Sequence, residues 1–298
     1  MIEFKNTTKT TMKRFLSTSE FAQAIGMSES SARRIADDGD VAFHRTRGGH
    51  RRVSVAEVIR WVRESETAIA RPDLLGLSQA TESIDLVHGM DKLREALEEG
   101  KANSVLGLLQ ALYAAGSSIS EICDGPIVGA MQAIGARWPS GRRAIFVEHR
   151  ATVLCVRALC QLRLSIPEPD DDAPLAIGGA PAHDPYLLPS MMVSLILHEA
   201  GFNETNLGPN TPIDVLADAV EDEKPAVTWL SINTPVHYHG QIRDIERLVE
   251  IATAHDSTVI VGGRHVTDLD ALGGQVIQRC ANINELKLIA TKIIQSRR

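Results

Sequence analysis

Apolar positions recur at three rhythms along this chain, and each rhythm marks a segment. In residues 16–62 the stripes are short. Phe21, Ala22 and Ile25 form one that Gly26 stops, and Ser17 with Glu20 has the spacing of a capping box that opens the helix. Ser28 is spaced to cap a second helix over residues 29–37, with Ala32, Ile35 and Ala36 inward. Residues 41–53 read as a hairpin with Gly48-Gly49 at the tip, where positive φ is available. Ser54 and Glu57 have the spacing of another capping box, ahead of a helix carrying Val58, Ile59, Trp61 and Val62. Two short helices across a glycine turn, followed by a hairpin and a helix, predict a winged helix-turn-helix.

From residue 81 to 166 the pattern is helical throughout. Leu86, Met90, Leu93 and Leu97 form one stripe; Val105, Leu108, Leu109 and Leu112 a second; Ile119, Ile122, Ile127 and Met131 a third. A fourth helix covers residues 144–164, which together predicts a four-helix bundle. From residue 175 onward, short apolar runs alternate with helical stripes. Strands are expected at 175–180, 204–207, 226–232, 258–261 and 276–277, and helices at 187–200, 211–221, 241–255 and 284–295. That alternation predicts a flavodoxin-like, doubly wound parallel sheet. Linkers around Pro72 and Gly76, and at residues 167–172, divide the chain into a winged helix-turn-helix (1–68), a bundle (77–167) and an α/β domain (173–298).

Charge follows this division. Over the 298 residues the net charge is −7, yet residues 1–65 hold 12 Lys/Arg against 8 Asp/Glu and the rest hold 19 against 30. A basic head on an acidic body points to nucleic acid at one end only. The candidate DNA contacts are Ser30, Ser31, Arg33 and Arg34 on the second helix and His44, Arg45, Arg47, Gly48, Gly49, His50 and Arg51 on the hairpin. Short hydroxyls and guanidinium forks reach phosphates and guanine edges, and arginines around a glycine tip suit a wing. No apolar run approaches the ~18 residues that span a bilayer, and the first fifteen residues show no secretory pattern. With four scattered cysteines and no C-x-x-C, a cytoplasmic, reduced chain is expected.

Catalytic motifs are not evident. The first α/β strand lacks a following Gly-x-Gly-x-x-Gly, and there is no Walker loop, nor a Ser-His-Asp or Cys-His arrangement. His237-Tyr238-His239 is the densest polar cluster, but a third metal ligand is not evident. Ligands of doubly wound sheets sit beyond the strand C-termini, here the loops at 180–189, 208–212, 233–240 and 262–266.

The head, through Leu16-Ser17-Thr18-Ser19-Glu20-Phe21-Ala22 and Arg45-Thr46-Arg47-Gly48-Gly49-His50-Arg51-Arg52, resembles MerR-type and excisionase-like DNA-binding domains. Trp138, nine residues, then Glu148-His149 in the bundle extends the resemblance over nearly the whole chain, to the CarA/CarH/LitR group of MerR-type, cobalamin-binding regulators. The resemblance implies that Trp138, Glu148 and His149 face the upper side of a corrin. It also implies an acid-x-His-x-x-Gly motif whose histidine binds cobalt from below. That motif falls on Asp184, Tyr186 and Pro189, with tyrosine in place of the ligand; a second register puts His183 there. A neutral phenol is a poor cobalt ligand beside imidazole. In light-sensing members a histidine follows the tryptophan, and here Pro139 does. Ser231, Gly262 and Gly263 complete the candidate cofactor set.

Three ligand readings stay open: cobalamin without a protein histidine; heme or a bilin, with His149, His183, Tyr186 or His237 as contacts; or no cofactor. The expected function is a non-enzymatic, photoreceptor-like sensor and transcriptional regulator of operator DNA, controlled by dimer or tetramer formation. The alternatives are a ligand-free regulator with a protein antirepressor and, remotely, a corrinoid methyltransferase-like subunit.

Overall fold

A computed structural model describes residues 15–77, 86–236, 239–271 and 277–297. The head runs β1 (Phe15–Ser17), α1 (Thr18–Ile25), α2 (Glu29–Asp38), β2 (His44–Arg45), β3 (Arg51–Ser54) and α3 (Val55–Ser65). The box at Ser17 forms: its hydroxyl accepts from the Glu20 N–H and the Glu20 carboxylate accepts from the Ser17 N–H. At Ser54 only half the box forms, because the Glu57 carboxylate accepts from the Ala42 N–H at 2.7 Å and binds Arg60 instead. β1 is an addition to the expected elements. It pairs antiparallel with β3, Leu16 opposite Val53, making the sheet order β1-β3-β2. Phe21 anchors the core, edge-on to Phe43 at 5.7 Å and to Trp61 at 5.8 Å.

The bundle comprises α4 (Leu86–Glu99), α5 (Ala102–Ala114), α6 (Ile119–Ile122), α7 (Val128–Gly135) and α8 (Arg142–Arg163). α6 and α7 are one helix joined by a π turn, Cys123–Ile127. Pro126 lies inside it and has no N–H to give to the helical ladder. The α/β domain follows: β4 (Leu175–Gly179), α9 (Leu187–Ala200), β5 (Asn203–Asn206), α10 (Ile213–Glu223), β6 (Val227–Ser231), α11 (His239–Ala254), β7 (Thr258–Gly262), β8 (Ile277–Cys280) and α12 (Ile283–Arg297). Its strands are parallel in the order β5-β4-β6-β7-β8. The order reverses between β4 and β6, which is where a ligand crevice belongs in such sheets.

The modules are joined by specific polar contacts. Asp124 in the π turn accepts from the Ile283 and Asn284 N–H groups at the start of α12, at 3.1 and 2.9 Å. On α3, Arg63 donates to the Tyr113 and Ser117 carbonyls at 2.6 and 2.9 Å, and its guanidinium lies 4.0 Å from the centre of the Tyr113 ring. Burial pushes the Tyr113 phenol up to about 12. Glu199 of α9 accepts from the Ile119 N–H. Burial pushes its carboxyl above the ordinary range, against the pull of that N–H, Lys287 and Arg63. A cavity of about 420 Å³, lined by Arg63, Tyr113, Ser118, Glu199 and Lys287, marks this junction.

Candidate functional site

On the head, the structure sorts the expected DNA contacts by whether they are already engaged. Ser28 caps α2, and its hydroxyl lies 2.8 Å from that of Ser30 and 2.9 Å from that of Ser31, so both serines belong to the cap. Arg33 is ion-paired to Glu29 at 2.7 Å, and Arg51 is bound to Asp37. Arg34, Arg45 and Arg47 are exposed, and among the described residues none of the three has an ion pair. His44 and His50 are exposed beside them. The wing tip closes through Thr46 N–H to His50 O at 2.9 Å and Gly49 N–H to Thr46 O at 2.8 Å. Only Gly49 uses positive φ, at 80°, so the tip needs one glycine rather than the two expected.

The cofactor candidates fall into two groups. At the bundle end, Trp138 opens a short 3-10 turn and α8 begins four residues later, which brings Trp138 over His149. Their rings stack with centroids 6.2 Å apart and planes 26° from parallel. Glu148 accepts from the Thr152 hydroxyl at 3.2 Å, and its carboxylate is 3.7 Å from His149 Nε2. Phe146, His149 and Val153 follow one another at helical spacing, and Phe146 and Val153 are 50% and 56% exposed. The result is a half-exposed aromatic and apolar strip with an imidazole in its middle, and the Arg143 and Arg150 guanidinium groups each lie 5.1 Å from the centre of the Phe146 ring.

The second group surrounds the switch point. Asp184 is buried, and its carboxylate is engaged by the main chain. It accepts from the main-chain N–H groups of Tyr186 at 3.1 Å, of Thr234 at 3.1 Å and of Asn233. It therefore staples the β4–α9 loop to the β6–α11 loop. Tyr186 is exposed at the start of α9, and His183, at φ 70°, is exposed in the loop before it. Ser231 is buried and accepts from Asn233 Nδ2 at 2.9 Å; the Gly262 carbonyl accepts from the Ile232 N–H. Gly263, at φ 110°, packs directly on Ile232. His237 and Tyr238 of the suggested metal cluster lie outside the described residues. Among the described residues no group of three His, Cys, Asp or Glu is placed to hold a metal, and no helix is long and apolar enough to cross a membrane.

Sequence reasoning missed Trp229 and Gly178, which pack against each other inside the sheet, and the Arg63–Glu199 joint. A tryptophan in a central strand was a visible signal for the first. The second joins residues far apart in sequence and had none.

Residues 15–66 match the family model for a helix-turn-helix domain, and residues 90–162 match that for a B12 binding domain. No curated protein matches the chain. Among solved structures, the monomethylamine corrinoid protein of Methanosarcina barkeri is similar, with TM-score 0.55 and 19% identity over 69% of this chain and 98% of that one. A cobalamin-binding protein from Desulfitobacterium hafniense aligns at TM-score 0.38 and 17% identity, over 71% of this chain and all (100%) of that one. The methanol:cobalamin methyltransferase complex of Methanosarcina barkeri aligns at TM-score 0.36 and 16% identity, over 70% and 80%. The first of these shows the fold of the bundle and sheet. A helix-turn-helix head joined to a B12 binding domain fits a regulator rather than an enzyme, and it is the make-up of the CarH-like cobalamin-binding transcription regulators that the sequence resembles.

Proposed function

We propose that this chain is a cytoplasmic transcriptional regulator that grips operator DNA with its winged head and senses a tetrapyrrole at the bundle end. Occupancy of that end sets self-association as a dimer or tetramer, and so the avidity for paired half-sites. The observation that carries the DNA reading is a set of exposed arginines, Arg34, Arg45 and Arg47, that have no acid partner among the described residues, on an otherwise acidic chain. The acidic body is repelled by DNA, which confines contact to the head. In a gel-shift or anisotropy titration, Arg45→Gln with Arg47→Gln weakens operator binding and lowers the salt slope by about 0.9 for each phosphate contact removed. Arg51→Gln does less, because Arg51 is already bound to Asp37. An unchanged affinity and slope in the double variant would overturn the wing assignment.

The bundle side fits a flat macrocycle. Trp138 and His149 present near-parallel rings, and Phe146 extends the apolar strip. A tetrapyrrole supplies a broad apolar disc and, in its metal-bearing forms, a metal centre. Trp138 would carry the disc, and His149, its ring 26° from parallel to the indole, would add a second flat surface beside it. Absorption spectra of the protein mixed with hemin or hydroxocobalamin test this: a shifted visible band, lost in Trp138→Ala, is expected. A protein that refuses both pigments overturns it. Exposed Phe146 and Val153 favour one second reading, a ligand-free regulator whose strip is covered by an antirepressor protein. A corrinoid methyltransferase subunit rests on likeness of fold alone, and the winged head gives it no support.

A further inference from the structure

Glycines at the ends of parallel strands let another group approach the backbone closely. Four stand at the C-terminal ends of two strands that flank β6: Gly178 and Gly179 end β4, Gly262 ends β7 and Gly263 follows it. Three already face close neighbours from the chain itself. A Cβ on Gly178 would lie 2.2 Å from the Trp229 carbonyl oxygen, 2.3 Å from its Cδ2 and 2.5 Å from its Cγ. One on Gly179 would lie 2.7 Å from the Gly208 carbonyl oxygen, and one on Gly263 2.3 Å from that of Ile232. Only Gly262 meets its neighbours at ordinary distance, 3.5 Å from the Cys280 carbonyl oxygen.

Trp229 is the largest of these occupants. It stands on β6, between β4 and β7, and is 1% exposed. It belongs to the same apolar cluster as Ala176, Leu188, Met192, Ile196 and Ile260, on the side of the sheet that α9 and α12 cover. Its indole Nε1 is buried and, among the described residues, has no hydrogen-bond partner. A buried indole usually finds an acceptor, so this one is placed for its volume rather than for its polar end.

Cobalamin is more than its corrin ring. It carries a nucleotide arm that ends in a benzimidazole, a fused five- and six-membered ring of the same shape class as an indole. We propose that the Trp229 indole is a built-in occupant of the slot between β4 and α9, so that the α/β domain accepts no nucleotide arm and the ligand is held from the bundle alone. The commitment of the Asp184 carboxylate to three main-chain N–H groups agrees with this, because that acid is taken up in holding the β4–α9 loop to the β6–α11 loop. The ligand-class part of the proposal rests on the tetrapyrrole reading above; the occupied slot does not.

The experiment uses the full chain and its Trp229→Gly variant, titrated with hydroxocobalamin, with cobinamide (the same corrin without the nucleotide) and with free dimethylbenzimidazole. Binding is read from visible absorption and from Tm. The wild type is expected to bind cobalamin and cobinamide within about threefold of each other, whereas Trp229→Gly prefers cobalamin by about tenfold or more. Free dimethylbenzimidazole raises the Tm of the variant and leaves the wild type unmoved. A wild type that prefers cobalamin by about tenfold overturns the proposal. A wild type that binds neither corrinoid defeats the corrinoid form of the tetrapyrrole reading alone; a Tm rise of the variant with dimethylbenzimidazole then still supports the filled slot, and an unmoved Tm overturns it. Trp229→Leu opens part of the slot and carries the same comparison where the glycine variant does not fold.

Discussion

Two tryptophans divide the candidate ligand surface of this molecule. Trp138, at the bundle end, is 45% exposed and stacks on His149, while Trp229, inside the sheet, is 1% exposed and packs on Gly178. The same indole serves as a platform where the chain leaves it uncovered and as a filler where the backbone makes room. The bundle therefore keeps a face on which a ligand can lie, and the α/β domain uses its glycines to close on itself.

Stability measurements in urea can break this comparison at its widest point. Trp229→Ala is expected to cost about 3–5 kcal/mol, the range for removing a large buried aromatic. Trp138→Ala is expected to stay within about 0.5 kcal/mol, as surface changes do. Equal losses would mean that Trp138 is a core residue and that the bundle end offers no platform. A loss under about 1 kcal/mol at Trp229 would mean that the slot collapses without it, and the indole would no longer count as a filler.

Both halves of the site were partly legible in the sequence, and the difference between them was not. Trp138, Glu148 and His149 lie on one turn and one helix, so local spacing was enough to place them at the same end of the bundle. The frame of the sheet was also local. The expected helix at 187–200 ends at Gly201, which takes the left-handed conformation at φ 98°. What Asp184 does depends on partners as distant as Asn233 and Thr234, and no spacing rule reports that. Trp229 could be placed on a central strand, but its meeting with Gly178 is set by the pairing of β4 with β6. β1 has three residues, too few for an alternating pattern to stand out. The π turn depends on how the helix passes Pro126, and the apolar spacing around it still reads as an ordinary helix.

A smaller effect at Asp184 sharpens the comparison. Its buried carboxylate accepts from three main-chain N–H groups, whereas Glu148 at the bundle end accepts from one side-chain hydroxyl. Asp184→Asn replaces one acceptor oxygen with a donor that faces backbone N–H groups. The expected cost is about 1–3 kcal/mol, the penalty for leaving buried donors unpaired. Glu148→Gln keeps an acceptor for Thr152 and is expected to change stability by no more than about 0.5 kcal/mol. Hydrogen exchange at the Asn233 and Thr234 amides should rise in the first variant and not in the second. Unchanged protection in Asp184→Asn would show that the two loops hold together without the carboxylate, and Asp184 would no longer count as the staple that closes the crevice.

The smallest expected effect lies at the seam between the two regions. Glu199 of α9 reaches across to the bundle at the Ile119 N–H, and burial raises its pKa despite the nearby Lys287 and Arg63. A carboxyl whose folded pKa is raised contributes stability that is complete below its unfolded value, near 4.3, and is lost as the pH rises through the folded value. Glu199→Gln removes that titration and keeps an oxygen for the Ile119 N–H. The variant should therefore gain on the wild type as the pH rises from about 4 to 8, by no more than about 1 kcal/mol, a typical point-mutant effect. A difference that stays flat across that range would show that Glu199 titrates as an exposed carboxyl does. The seam would then be hydrated, and the bundle and the sheet could move apart without uncovering a buried charge. A difference that grows with pH keeps the seam dry, so that a change at the bundle face would have to pass through the packed α8–α9 contact to reach the sheet.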